Sequence, residues 1–138
     1  MSGLPDAADP NDGAAPKSFE LVEVDPGNVA APFVIRRVYV IYGTSPDAVR
    51  GKHAHHHLEQ LAMCPVGACT FMLDDGSGPV ELRLDSPTTG LVIRSNVWRE
   101  MKQFTPDCVL TVLASQPYDP ADYIRDYEAF LASLHPAG

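Results

Sequence analysis

From Phe19 onward the chain runs as short stretches of alternating apolar and polar residues, separated by clusters of Gly, Pro, Asp and Ser. Alternation at period two marks strands with one buried face. Phe19-Glu20-Leu21-Val22-Glu23-Val24 predicts a first strand, closed by the turn residues Asp25-Pro26-Gly27-Asn28. Phe33 to Tyr42 is rich in β-branched and aromatic residues, and its odd positions put Arg37 and Tyr39 on a face with Phe33, Ile35 and Ile41. Leu58–Val66 and Cys69–Leu73 follow, bent at Gly67, and Asp74-Asp75-Gly76-Ser77-Gly78 predicts a hairpin into Val80–Leu84. Beyond the breaker Pro87-Thr88-Thr89-Gly90 come Leu91–Arg94, Trp98–Phe104 and Cys108–Ala114. About eight short strands at regular spacing predict an all-β sandwich or barrel rather than a parallel sheet. Only the end reads as helix. Asp119-Pro120 offers an N-cap with proline at the first helical position, and Tyr123, Tyr127, Phe130, Leu131 and Leu134 recur at helical spacing.

Composition sharpens this picture in three places. The first residues are rich in Ala, Pro, Asp and Gly without periodicity, so residues 1–17 are expected to be a disordered leader and 18–138 a single domain. A formal charge of −8 argues against nucleic acid or an anionic membrane as partner. Within that acidic chain Arg36, Arg37, Arg50 and Lys52 face one acid, Asp47, a local cationic strip suited to a small anionic ligand. Cys64, Cys69 and Cys108 lie in apolar surroundings without a disulfide framework, which predicts buried thiols in a reducing cytoplasm. Neither a signal peptide nor an apolar run of membrane-spanning length is legible.

The chemistry concentrates in Arg50-Gly51-Lys52-His53-Ala54-His55-His56-His57-Leu58-Glu59-Gln60. If that stretch is extended, His53, His55 and Glu59 share parity and one inward face. Two imidazoles and a carboxylate are either a metal site or a proton-transfer site. The spacing resembles the first half of the metal motif of cupins, double-stranded β-helix barrels. Arg99 falls where that motif supplies its last histidine, and a guanidinium is always protonated and has no lone pair for a metal. Three ligands could still hold zinc or iron(II), but the balance favours an oxyanion beside Arg99. Histidine titrates near neutrality and can both take and return a proton, while Tyr39, Arg50 and Arg99 are candidates to stabilise an enolate oxygen. His56 and His57 read as surface residues.

Several segments together resemble one family. They are Arg36-Arg37-Val38-Tyr39, Arg50-Gly51-Lys52-His53-Ala54-His55, Leu58-Glu59-Gln60, Leu73-Asp74-Asp75-Gly76, Trp98-Arg99-Glu100-Met101, Val112-Leu113-Ala114-Ser115 and Tyr118 to Arg125. They are similar to the cupin-fold nucleotide-sugar 3,4-ketoisomerases, the WxcM-like group, from about Phe33 to Leu134. The resemblance implies a cupin barrel with a C-terminal helix and a homodimer. It implies an enzyme that moves the ketone of dTDP-4-keto-6-deoxyglucose from C4 to C3, without metal or nicotinamide cofactor, for 3-amino deoxysugar synthesis. It makes His53 and His55 the catalytic pair and puts Arg37, Tyr39, Arg50, Trp98 and Arg99 in the substrate-binding set. Family members carry His or Arg at the Arg99 position, a choice linked to the configuration made at C4, and Arg99 favours the gluco product. The chain departs from the family pattern at Ser18 or Phe19, at His56 and His57, and at Arg94-Ser95. The competing readings are a metal-dependent cupin enzyme and a non-catalytic nucleotide-sugar-binding module.

Overall fold

A computed structural model of the chain describes residues 17–25 and 27–135, so the expected leader lies outside the described residues except for Lys17. Ten strands build two antiparallel sheets: β1 (Phe19–Glu23), β2 (Arg37–Tyr42), β3 (Arg50–His55), β4 (Gln60–Val66), β5 (Cys69–Asp74), β6 (Val80–Leu84), β7 (Thr89–Ile93), β8 (Trp98–Lys102), β9 (Val109–Ala114) and the two-residue β10 (Tyr123–Ile124). One sheet has the order β1-β7-β4-β9-β2 and the other β10-β3-β8-β5-β6. A single helix, α1 (Tyr127–Leu134), closes the described chain.

Alternation decides which side chains meet between the sheets. Ala62, Cys64, Phe71, Leu73, Leu91, Ile93, Met101, Leu110 and Val112 fill the space inside. The intervening positions of β4, Leu61 and Met63, point outward and are covered by Val22, Val29, Ala31 and Phe33. On the outer side of the second sheet, Ala54, Trp98, Ile124 and Phe130 pack together beneath α1. Both sheets are therefore partly buried on two faces, which explains why β4 and β7 read as near-continuous apolar runs.

Two expectations change. The strand expected from Phe33 begins only at Arg37. Phe33 lies in the outer cluster over β4 and β7, on the side away from Tyr39, and Ile35 is exposed. The helix expected from Asp119-Pro120 is a single 3-10 turn, Pro120–Asp122, whose Asp119 side chain accepts from Ala121 N. Tyr123 and Ile124 then extend to pair with His55 and Ala54 of β3, and Asp126 caps the true helix by accepting from Ala129 N. Pairing with an open sheet edge outweighs a local capping signal there. Gly67 does turn the chain between β4 and β5 with φ +72, where a Cβ would lie 2.4 Å from Thr105 Oγ1.

Candidate active site

β2, β3 and β10, with residues that flank β10, surround an open cleft of about 350 Å³ lined by Arg37, Tyr39, Ile41, Arg50, Gly51, His53, Met101, Tyr118, Tyr123 and Arg125. A larger groove beside Glu23, Asp25 and Asn28 carries neither a cation nor an imidazole among its described lining residues. The arginines and the imidazole single out the first.

A backbone irregularity composes this cleft. β3 pairs with β8 as Arg50↔Met101, Gly51↔Glu100 and His53↔Arg99, so Lys52 is an extra residue with no partner. Gly51 and Lys52 both take positive φ, at 85 and 56. A bulge of this kind shifts side-chain parity by one. Arg50 and His53, three apart in sequence, would face opposite ways in a regular strand; here both lie opposite the inward residues Met101 and Arg99. Left-handed backbone at a lysine is unfavourable by roughly 1–2 kcal/mol, and such strain is concentrated at functional sites.

Both histidines are oriented. The Gly51 carbonyl accepts from His53 Nδ1 at 3.0 Å, so Nδ1 carries the proton and Nε2 keeps its lone pair. His55 lies beneath it, with ring centroids 4.7 Å apart and edge to face. His55 Nδ1 donates to Asp122 Oδ2 at 3.2 Å, while its buried Nε2 has no partner among the described residues. Burial, then the positive charge of Arg99, lowers the His53 pKa to about 4 and the His55 pKa to about 2. Near neutral pH both are uncharged, and the contact to Asp122 is a hydrogen bond to a carboxylate rather than an ion pair. Asp122 is itself buried and also accepts from His57 N at 2.9 Å and Leu58 N at 3.1 Å.

Tyr39 is placed by a chain of donors. Arg99 Nη1 donates to Gln60 Oε1, and Gln60 Nε2 donates to Tyr39 Oη at 2.9 Å. The guanidinium fixes the Gln60 amide with its oxygen inward. The phenol oxygen is thus an acceptor toward Gln60, and its own proton is free for the cleft. Burial raises the Tyr39 pKa, which keeps it a neutral donor. The Arg37 guanidinium lies 4.6 Å above the Tyr39 ring and has a buried Nη1 without a partner among the described residues.

Of the residues expected in the site, His53, Arg37, Tyr39 and Arg50 line the cleft and His55 packs directly under His53. Arg99 does not line it. Only 1% exposed, Arg99 sits below the floor, bound to Gln60 and the Val97 carbonyl, and acts through its field and through Gln60. Trp98 is a correction. It follows the opposite parity of β8, packs against Tyr127 and Phe130 beneath α1, and donates Nε1 to Glu100 Oε2. Glu59 is also outside, because β3 ends at His55 and the parity that aligned it with the histidines is lost. Among the described residues, three metal-capable side chains converge only at Cys64, Cys69 and Cys108, not at the histidines.

Sequence reasoning missed Asp122, Tyr123 and Arg125. Tyr123 packs against both His53 and His55, tilted at 4.8 Å and edge to face at 4.4 Å, and carries the Arg125 guanidinium 4.2 Å over its ring. Their signal was the Tyr118–Arg125 segment, which an expected helix hid.

An antiparallel two-sheet barrel holding oriented neutral histidines, a phenol donor and three arginines is a cupin-type fold built for acid–base chemistry on an anionic ligand. The FdtA family (WxcM-like, C-terminal) matches residues 4–135, and the chain belongs to it. A TDP-4-oxo-6-deoxy-alpha-D-glucose-3,4-oxoisomerase from Aneurinibacillus thermoaerophilus is 50% identical over 103 residues, 75% of this chain and 74% of that protein. A 3,4-ketoisomerase from Helicobacter canadensis superposes with a TM-score of 0.80 at 38% identity, covering 86% of this chain and 98% of that one. The ketoisomerase QdtA from Thermoanaerobacterium thermosaccharolyticum, as a histidine-to-asparagine variant bound to TDP-4-keto-6-deoxyglucose, superposes with a TM-score of 0.78 at 34% identity over 86% and 95% of the two chains.

Proposed function

We propose that this chain is a TDP-4-keto-6-deoxyglucose 3,4-ketoisomerase. The observation that carries the reading is His53, a neutral imidazole whose Nδ1 is held by Gly51 and whose ring faces the same cleft as the Tyr39 hydroxyl. Moving a ketone from C4 to C3 requires loss of the C3 proton, an enediol, and delivery of a proton to C4. His53 Nε2 takes the C3 proton as general base and, as the imidazolium so formed, gives it back at C4, which returns the ring to its neutral state. Tyr39, made a better donor by the cationic end of its hydrogen-bond chain, supports the charge on the substrate oxygen. His55, held by Asp122, relays the oxygen-bound proton. Arg37, Arg50 and Arg125 grip the diphosphate, for which planar guanidinium donors are suited.

A proton shift through an enediol needs no hydride carrier, and the buried guanidinium of Arg99 beside both imidazoles opposes a divalent cation there. Arg99 also favours the gluco configuration at C4. The enzyme acts as a homodimer in the cytoplasm. The outward face of β2, an edge strand, exposes Val38, Val40 and Tyr42, which supports a second copy against it. Sedimentation of wild type beside Val38→Glu tests that contact. No helix among the described residues is long and apolar enough to cross a membrane.

Incubation with TDP-4-keto-6-deoxyglucose in deuterated water, followed by NMR, tests the function. The expected product is a TDP-3-keto-6-deoxyhexose of gluco configuration, formed at unchanged rate after chelator treatment. His53→Asn should lose about a hundredfold to ten-thousandfold in turnover while still binding TDP. Wild-type exchange at C3 in that variant would move the base elsewhere.

A further inference from the structure

The three cysteines lie far from the cleft. β4 carries Gln60 at the site end and Cys64 about 13 Å further along, at roughly 3.3 Å per residue. Cys64 Sγ is 3.8 Å from Cys69 Sγ and 3.8 Å from Cys108 Sγ, and all three sulfurs lie within 4.8 Å of one another. They come from three places in the chain: the body of β4, the first residue of β5 after the Gly67 turn, and the residue before β9. All three are free thiols. A cysteine used only as a small apolar filler has no need to meet others sulfur to sulfur.

We propose that Cys64, Cys69 and Cys108 form a three-thiolate site for a soft monovalent cation, Cu(I). Metal–thiolate bonds of about 2.3 Å space three sulfurs by about 3.8 Å in a tetrahedron and about 4.0 Å in a trigonal plane. Two sides of the triangle already have that length. The ligand type selects the ion. Thiolates are soft donors that suit Cu(I) and zinc, but structural zinc takes four ligands. Among the described residues, no histidine or carboxylate joins this group to supply a fourth. Cu(I) is complete with three.

Arg83 donates to Thr70 Oγ1, next to Cys69 in β5, and to the Gln103 carbonyl. The cysteines are buried, but their chain neighbours Pro65, Val66 and Asp107 are exposed. Burial pushes the Cys108 thiol up to about 12, and the contact with Cys69, followed by burial, pushes the Cys64 thiol up. Binding exchanges thiol protons, released to water, for one metal ion. Copper enters and stays as Cu(I), so no electron is transferred.

The test is an anaerobic titration of the reduced full-length protein with Cu(I) against bathocuproine disulfonate, a coloured Cu(I) chelator. The expected result is one Cu(I) withheld per chain, with X-ray absorption reporting three sulfur neighbours. Cys64→Ala and Cys108→Ala should each weaken retention by about tenfold or more. Circular dichroism identifies a variant that fails to fold, and Cys108→Ala, at the rim, then carries the comparison. No retained copper, retention unchanged in the folded variants, or zinc held in preference to Cu(I) would each overturn the proposal. None of these readouts depends on the isomerase reading.

Discussion

Acid should destabilise this fold through its two site histidines, and the size follows from their surroundings. His53 and His55 titrate at about 4 and about 2 in the folded state, against an ordinary value of 6.5. With folded values depressed, the stability they represent is fully present above pH 6.5. It is lost as pH falls toward the folded values, because the unfolded chain gains protons that the native one refuses. Each histidine then contributes a slope of about 1.4 kcal/mol per pH unit. Between pH 7.5 and 4.5 the pair would remove about 5 kcal/mol if both shifts held in full. The Asp122 carboxylate 3.2 Å from His55 favours the imidazolium and opposes that shift, so the expected loss is about 3–5 kcal/mol. That is comparable with the whole stability of many domains. Urea unfolding at half-unit pH steps measures it, with His53→Asn/His55→Asn as control for the carboxylates. A flat unfolding free energy down to pH 4.5, or an equal fall in the double variant, would refute the reasoning.

Other expectations follow from the same geometry. Tyr39→Phe should lower kcat by about a hundredfold to a thousandfold with little change in KM, and the Gln60 amide left without its acceptor should cost about 1–3 kcal/mol in thermal or urea unfolding. Asp122→Asn offers one acceptor oxygen to three donors, so stability should fall by about 1–3 kcal/mol and kcat should drop more than KM rises in steady-state assays. Arg50→Lys keeps the charge but not the planar fork; calorimetric TDP affinity should weaken, and an unchanged value removes Arg50 from the diphosphate site.

Period-two alternation made most of the strands legible, and it placed His53 and His55 on one face because no irregularity separates them. The same rule, applied strictly, forbids Trp98 and Arg99 from sharing a face; grouping them as one motif hid that. Glu59 fell out because parity holds only while the strand continues, and nothing local in His56-His57-Leu58 announces its end. The last segment was misread for a different reason. Asp119-Pro120 is a sound helix start by local chemistry, yet Asp126 is another, and only the open edge of β3 decides that Tyr123 and Ile124 extend first. With that choice came Asp122, Tyr123 and Arg125, three site residues whose segment carried a resemblance but whose helical spacing hid their place.

The unpaired Lys52 makes chain length, rather than residue identity, the setting of the cleft. Deleting that one codon would leave every functional side chain in the protein, but the restored register would turn Arg50 out to solvent while the imidazoles stay. A single insertion or deletion there converts a pocket that holds anions beside a base into one that holds a base alone. In aligning barrels of this kind, a gap between the arginine and the first histidine is therefore not noise to be smoothed over. Whether the count of residues between them is even or odd tells which side chains can ever have touched the same ligand.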